Sequence, residues 1–264
     1  MEREIWSLDK MRGLFDLSGK VAIVTGGSGA FGQAAAKGLA AFGASVVITS
    51  RRVEKLEAAA ADIAETGAKV LPISCDATDA ASVEAMVQQT VDKLGRVDIL
   101  VTGAGQANRF AAEEFPLDEW QKVMDSLVKG TYISCQAVGK RMIAQGSGKI
   151  ITVGSVRGEL GHPGGYAAYG TAKGAVHLLT KQLATEWAKY KINVNCIAPC
   201  IFWTPLTRQV LDDPELYKIF MQRIPWGRAA DPQDFIGATV YLASAASDFV
   251  TGDILMVDGG STAG

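Results

Sequence analysis

A short apolar run, Lys20-Val-Ala-Ile-Val-Thr25, opens directly into Gly26-Gly-Ser-Gly-Ala-Phe-Gly32. Apolar residues then recur at helical spacing through Phe31, Ala35, Leu39 and Phe42. The β-branched run predicts a strand buried on both faces. Strand, glycine loop and helix in that order bring backbone N–H groups and a helix N-terminus against a pyrophosphate. Gly27, Gly29 and Gly32 fit the spacing G-x-G-x-x-G, and no Gly-Lys-Ser/Thr closes the loop. The pattern therefore points to a dinucleotide and not to a nucleoside triphosphate.

The same alternation runs through the rest of the chain. Strands are expected near 21–25, 45–49, 69–74, 97–101, 149–154, 192–198 and 253–257. Helices are expected near 31–42, 53–66, 79–94, 117–145, 167–190 and 231–245. Such alternation predicts an α/β fold: one doubly wound Rossmann domain, residues 17–264, on a seven-stranded parallel sheet. Residues 1–16 read as an N-terminal arm. Right-handed crossovers place every strand C-terminus on one edge, where ligands bind. Gly26, Ser50, Asp76, Gly103, Ser155 and Pro199 all follow strand ends. Residues 201–230 break the rhythm with Trp203, Pro205, Asp212-Asp213-Pro214, Tyr217, Phe220, Met221, Pro225 and Trp226. Short helices over a mobile connection are expected there, as a substrate lid.

The second strand ends in Ser50-Arg51-Arg52, with no acid at the position, about twenty residues beyond the loop, that binds a ribose 2′-hydroxyl. A serine hydroxyl and guanidinium groups suit a 2′-phosphate, so NADP(H) is favoured, with NAD(H) left open. Tyr169 and Lys173 stand four apart in Tyr-Gly-Thr-Ala-Lys, on one helix face. A neighbouring ammonium is expected to draw the tyrosine pKa down, making Tyr169 an acid/base candidate. Ser155, fourteen residues upstream, could polarise a carbonyl beside it.

Net charge is −2, which gives no attraction to nucleic acid or anionic lipid. No apolar run is long enough to span a membrane, and Met-Glu-Arg-Glu-Ile-Trp at the start lacks a signal-peptide core. A cytoplasmic protein acting on a small molecule is expected. The four cysteines, Cys75, Cys135, Cys196 and Cys200, form no C-x-x-C, and His162 and His177 are too few and too far apart to suggest a metal site.

From about Leu17 to Gly260 the chain resembles the short-chain dehydrogenase/reductases. The family's glycine motif aligns with Thr25 to Gly32, its adenine-contacting Asp with Asp76, and its catalytic Ser, Tyr and Lys with Ser155, Tyr169 and Lys173. Its segment after the sixth strand aligns with Pro199 to Thr204, and its closing strand with Gly252 to Gly260. The resemblance implies cofactor contacts from Gly26, Ser28, Phe31, Gly32, Ser50, Arg51, Arg52, Asp76, Ala77, Gly103, Ala104, Tyr169, Lys173, Pro199, Phe202 and Thr204. It implies substrate contacts from Arg109, Arg157, His162 and Trp203, with Arg208 in the lid. It also implies a homotetramer built on the last strand and two long helices.

There are departures. Ala30 replaces a glycine, Thr102-Gly103 replaces two asparagines, Cys200 replaces a glycine, and Leu127 stands where the family has a catalytic Asn. Leu127 is expected on a buried stripe with Trp120, Val123, Met124 and Val128. Ser155 to His162 and Gln106 to Arg109 look most like gluconate 5-dehydrogenase-type members, with ketoacyl reductases second. The implied activity is NADP(H)-dependent interconversion of a secondary alcohol and a ketone, on an anionic keto-sugar acid if the arginines face the cleft. Trp203, Phe220 and Trp226 point instead to an apolar or cyclic ketone. A catalytically impaired structural homologue is the third reading.

Overall fold

The computed structural model describes residues 7–204 and 207–263. The first six residues of the expected arm, Pro205 and Leu206 of the 201–230 segment, and Gly264 lie outside the described residues. Seven strands form one parallel sheet: β1 (Val21–Thr25), β2 (Ser45–Ser50), β3 (Val70–Ser74), β4 (Ile99–Thr102), β5 (Gly148–Val153), β6 (Ile192–Pro199) and β7 (Ile254–Val257). Their order is β3-β2-β1-β4-β5-β6-β7. The chain reverses its direction of winding at β1, which pairs with both β2 and β4, so a crevice opens beyond its C-terminal end.

The inner strands β1, β2, β4, β5 and β6 are largely buried because helices cover both faces, while the edge strands β3 and β7 stay partly exposed; successive side chains split between the two faces. Ala22 and Val24 join Leu39, Val46, Ile48 and Leu56 on one side. Ile23 joins Val47, Met86, Leu100, Val138 and Val194 on the other. Each large aliphatic residue so buried contributes roughly 1.5–3 kcal/mol.

The helices are α1 (Leu8–Arg12), α2 (Ala30–Ala41), α3 (Val53–Ala64), α4 (Ala80–Leu94), α5 (Leu117–Met124), α6 (Gly130–Gln145), α7 (Ala167–Trp187), α8 (Arg208–Leu211), α9 (Pro214–Met221) and α10 (Ile236–Ala243). Three differ from expectation. The stretch 117–145 is interrupted by a π-helical turn, Asp125–Lys129, centred on Leu127. The last helix is shortened because Pro232 and a capping box between Asp231 and Asp234 hold its first turn as a 3-10 helix. Residues 7–15, expected as an arm, form α1 and a 3-10 turn with mostly exposed side chains. No helix among the described residues is long and apolar enough to cross a membrane.

Candidate active site

The glycine loop is shaped by close backbone approach. Gly26 has φ +69°, and a Cβ there would lie 2.6 Å from the Gly103 carbonyl oxygen, so the loops after β1 and β4 touch. Gly29 caps α2 with no side-chain hydrogen bond to its first-turn N–H groups. These loops border a cleft of about 700 Å³, walled also by Ser28, Ser50, Arg51, Arg52, Asp76, Ala77 and Ala104. Ser50 Oγ donates to the Arg52 carbonyl at 3.3 Å. One Asp76 oxygen accepts the Thr78 N–H (2.9 Å) and hydroxyl (2.8 Å). Those two bonds, with help from Arg51, hold the Asp76 carboxyl below its ordinary pKa. Open backbone donors, a carboxylate and two arginines in one cleft match the parts of a dinucleotide phosphate.

A second cleft, of about 510 Å³, adjoins Phe31, Ser155, Tyr169, Phe202 and Thr204. Phe31 and Phe202 meet edge to face at 4.9 Å, and Phe235 backs Phe31 at 5.1 Å. Ser155 follows β5 and caps the short turn Val156–Gly158. Its Oγ accepts the Arg157 N–H at 3.1 Å and donates to the Pro199 carbonyl at 3.5 Å. Lys173 is buried one turn along α7, where Nζ donates to the Val153 carbonyl at 2.6 Å. Burial lowers its pKa to about 8.

The expected effect of Lys173 on Tyr169 needs correction. Burial holds the phenol above its ordinary value, and the groups pulling it back down are Ser155, Arg157 and Arg109. Lys173 Nζ stands 5.7 Å from the Tyr169 ring centre.

The substrate side collects arginines. Arg109 and Arg157 lie on the wall, as expected, and are joined by Arg223 from the stretch after α9. Arg109 stacks over the Tyr166 ring at 4.5 Å, and Arg157 reaches the same ring at 5.9 Å. Burial and then repulsion from Arg223 are the main influences lowering the Arg157 pKa. No salt bridge among the described residues involves these three arginines; the arginine pairs there belong to Arg96, Arg141 and Arg228.

Other expected contacts fall elsewhere. His162 stands off the wall of this cleft, stacked on Phe220 at 6.0 Å and edge-on to Tyr166 at 4.9 Å. Trp203 stacks on Tyr217 at 6.1 Å and is also not on the wall. Arg208, at the start of α8, is exposed and off the wall, and Trp226 is 74% exposed. Gly32, Lys173 and Pro199 lie behind the lining. Of the three aromatic residues that suggested an apolar substrate, Phe220 alone lines the cleft.

Arg223 and Tyr166 were not legible as site residues. Tyr166 is three residues before Tyr169, a spacing that shares a helix face and offered a signal. Nothing in the local pattern around Arg223 does so.

Leu127 is buried with Val123, Ala168 and Ala172, against Trp120, Met124, Val128 and Tyr169, as its spacing predicts. Its side chain also fills the space beside Gly105, where any Cβ would collide with it. Its carbonyl accepts the Thr131 hydroxyl at 2.7 Å. Ser126 Oγ accepts the Gln106 N–H at 3.3 Å, tying the π turn to the loop after β4.

A family described as enoyl-(acyl carrier protein) reductase matches residues 27–262. The chain is 40% identical to gluconate 5-dehydrogenase of Gluconobacter oxydans over 249 residues, 94% of this chain and 97% of that one. It is 35% identical to 5-keto-D-gluconate 5-reductase of Escherichia coli, over 95% of this chain and 98% of that one. The crystal structure of a gluconate 5-dehydrogenase from Burkholderia cenocepacia, in complex with NADP and tartrate, superposes with a TM-score of 0.91 at 39% identity, over 95% and 98% of the two chains. The chain belongs to the short-chain dehydrogenase/reductase family of oxidoreductases.

Proposed function

We propose that this protein is an NADP(H)-preferring reductase of a keto-sugar acid, running also in reverse on the hydroxy acid. The observation that carries the substrate class is the trio Arg109, Arg157 and Arg223, which lines the cleft with no carboxylate partner among the described residues. Converging donors around a partly desolvated space favour a carboxylate. Relatives named for gluconate and 5-ketogluconate, and a structural neighbour holding tartrate, support the same reading.

When bound, the cofactor supplies the hydride. Ser155 Oγ holds the substrate oxygen next to Tyr169 and stabilises charge on it. Tyr169 Oη delivers the proton to that oxygen in reduction and takes it back in oxidation. Lys173, fixed beneath by the Val153 carbonyl, serves the ribose hydroxyls and the resupply of that proton. Arg51 and Ser50 read the 2′-phosphate; NAD(H) is the weaker alternative, because these groups would then lack their anion. Residues 201–230 act as a lid, since Val210, Phe220, Arg223 and Ile224 contribute wall to the cleft from α8, α9 and the stretch that follows. Exposed Leu117, Tyr132 and Leu178 on α5, α6 and α7 suit burial in a homotetramer.

The test is steady-state turnover with NADPH and NADH on matched ketones that differ only by a carboxylate. A preferred carboxylate ketone with NADPH is the expected result. A preferred uncharged ketone would favour the second reading, a ketoacyl-type or cyclic-ketone reductase, for which Phe110, Phe220 and Ile224 on the wall speak.

A further inference from the structure

His177 is one of two histidines in the chain, and the mechanism above leaves it without a task. It lies on α7 one turn beyond Lys173 and is 4% exposed. Its ring fills the space between Gly154 and Gly158, the residue before Ser155 and the end of the turn that Ser155 caps. A Cβ at either glycine would run into the imidazole. The Ser155 backbone N–H points at Nε2 from 3.5 Å. On the other side of the ring, Nδ1 is 2.9 Å from Glu159 Oε1. These two contacts fix the tautomer. Nε2 must be bare to accept from Ser155, so Nδ1 carries the proton and donates it to the carboxylate.

We propose that His177 is a positioning residue for Ser155: it accepts the serine's backbone N–H through Nε2 while Glu159 holds its tautomer, and its protonation breaks that support. The inference rests on Ser155 acting in catalysis as proposed above.

A proton on Nε2 would face the Ser155 N–H donor to donor, pushing the β5 end and the Ser155 hydroxyl out of line with Tyr169. Burial lowers the His177 pKa below 6.5, Glu159 opposes that, and the nearby Lys173 and Lys181 ammonium groups add to it. The Cys196 thiol on β6 borders the same glycine gap, and burial raises its pKa to about 11, so it stays neutral. The imidazole is therefore neutral at pH 7. Support for Ser155 is complete above the histidine pKa and lost below it, giving kcat an acid limb under pH 6.5.

Two substitutions separate the acceptor from the filler. His177→Leu keeps apolar bulk and removes the acceptor; His177→Gln keeps an acceptor that does not titrate. Turnover is measured from pH 5 to 9 on the full-length enzyme with NADPH and its best ketone. Expected for His177→Leu is a fall in kcat of about five- to tenfold at pH 8, the scale of one lost hydrogen bond, with KM and NADPH affinity unchanged. His177→Gln should recover most of that loss and lack the acid limb. Glu159→Gln, on a half-exposed side chain, should move the limb to lower pH relative to its own plateau, since the imidazolium loses its counter-charge.

Equal losses in the Leu and Gln variants, or a Glu159→Gln limb that does not move, would overturn the proposal. So would a His177→Leu enzyme with wild-type kcat across the range. Ser155→Ala, run alongside, keeps the two claims apart. If it is inactive while His177→Leu is normal, the catalytic reading stands and the positioning role fails. If Ser155→Ala is itself active, the catalytic reading fails first.

Discussion

The cleft proposed for the dinucleotide takes part of its wall from strand ends and backbone: Gly26, Gly103, Ala104 and Ala77, with Asp76 held in place by Thr78. The substrate half is walled by side chains that arrive from separate segments: Arg109 after β4, Arg157 after β5, Tyr166 at the start of α7 and Arg223 beyond α9. Where backbone approach sets the requirement, few residue types fit, and Gly26 against Gly103 is the clearest case. Where long side chains converge, many sequences would serve. The backbone-built positions of the first half should therefore tolerate little change of any kind, while the second half should respond to changes of charge more than of shape.

The largest effect is expected where the halves meet. Tyr169→Phe removes the proton carrier and little packing, so kcat should fall at least about a hundredfold, with NADPH affinity nearly intact. Stopped-flow single-turnover rates beside a fluorescence titration of NADPH would check it. A Phe variant that keeps most of its activity would break the proposed division of labour.

Leu127→Asn comes next. Leu127 is 5% exposed and packs against Ala168, Ala172 and Tyr169. An amide there loses apolar contact and gains a buried polar group, at a cost of about 2–4 kcal/mol. The melting temperature should drop by roughly 5–15 °C in calorimetry, with kcat no higher than wild type. A stable variant with raised kcat would show instead that the π turn is a decayed relay.

A smaller change is expected from Arg51→Ala. Arg51 is exposed, so its bond to a 2′-phosphate is partly screened; NADPH affinity should weaken about tenfold, and NADH affinity should hold. Equal losses for both cofactors, measured by titration calorimetry, would remove Arg51 from 2′-phosphate recognition.

These contrasts also explain what the sequence disclosed. The inner strands and the glycine loop were readable because burial on both faces and a φ of +69° at Gly26 restrict composition. The π turn at Asp125–Lys129 was invisible, since Ser126, Leu127 and Val128 suit an uninterrupted helix equally well. The resemblance made Trp203 a substrate contact. Its neighbour Phe202 faces the cleft while Trp203 itself turns onto Tyr217. Arg223 lies in a stretch without periodicity, so nothing local linked it to Arg157. Spacing along α7 placed Lys173 beside Tyr169 but could not show that burial raises the phenol's pKa.

The central claim is that arginines with no carboxylate partner among the described residues make the proposed substrate cleft selective for a carboxylate. It is tested most directly by the ratio of kcat/KM for a keto acid to that for its uncharged counterpart, in wild type and in Arg223→Ala. The wild-type ratio should exceed one and fall about tenfold in the variant, the scale of one lost charge-assisted bond at a partly exposed site, while the uncharged ketone is turned over as before. A wild-type ratio below one, or a ratio that Arg223→Ala leaves unchanged, would contradict the claim.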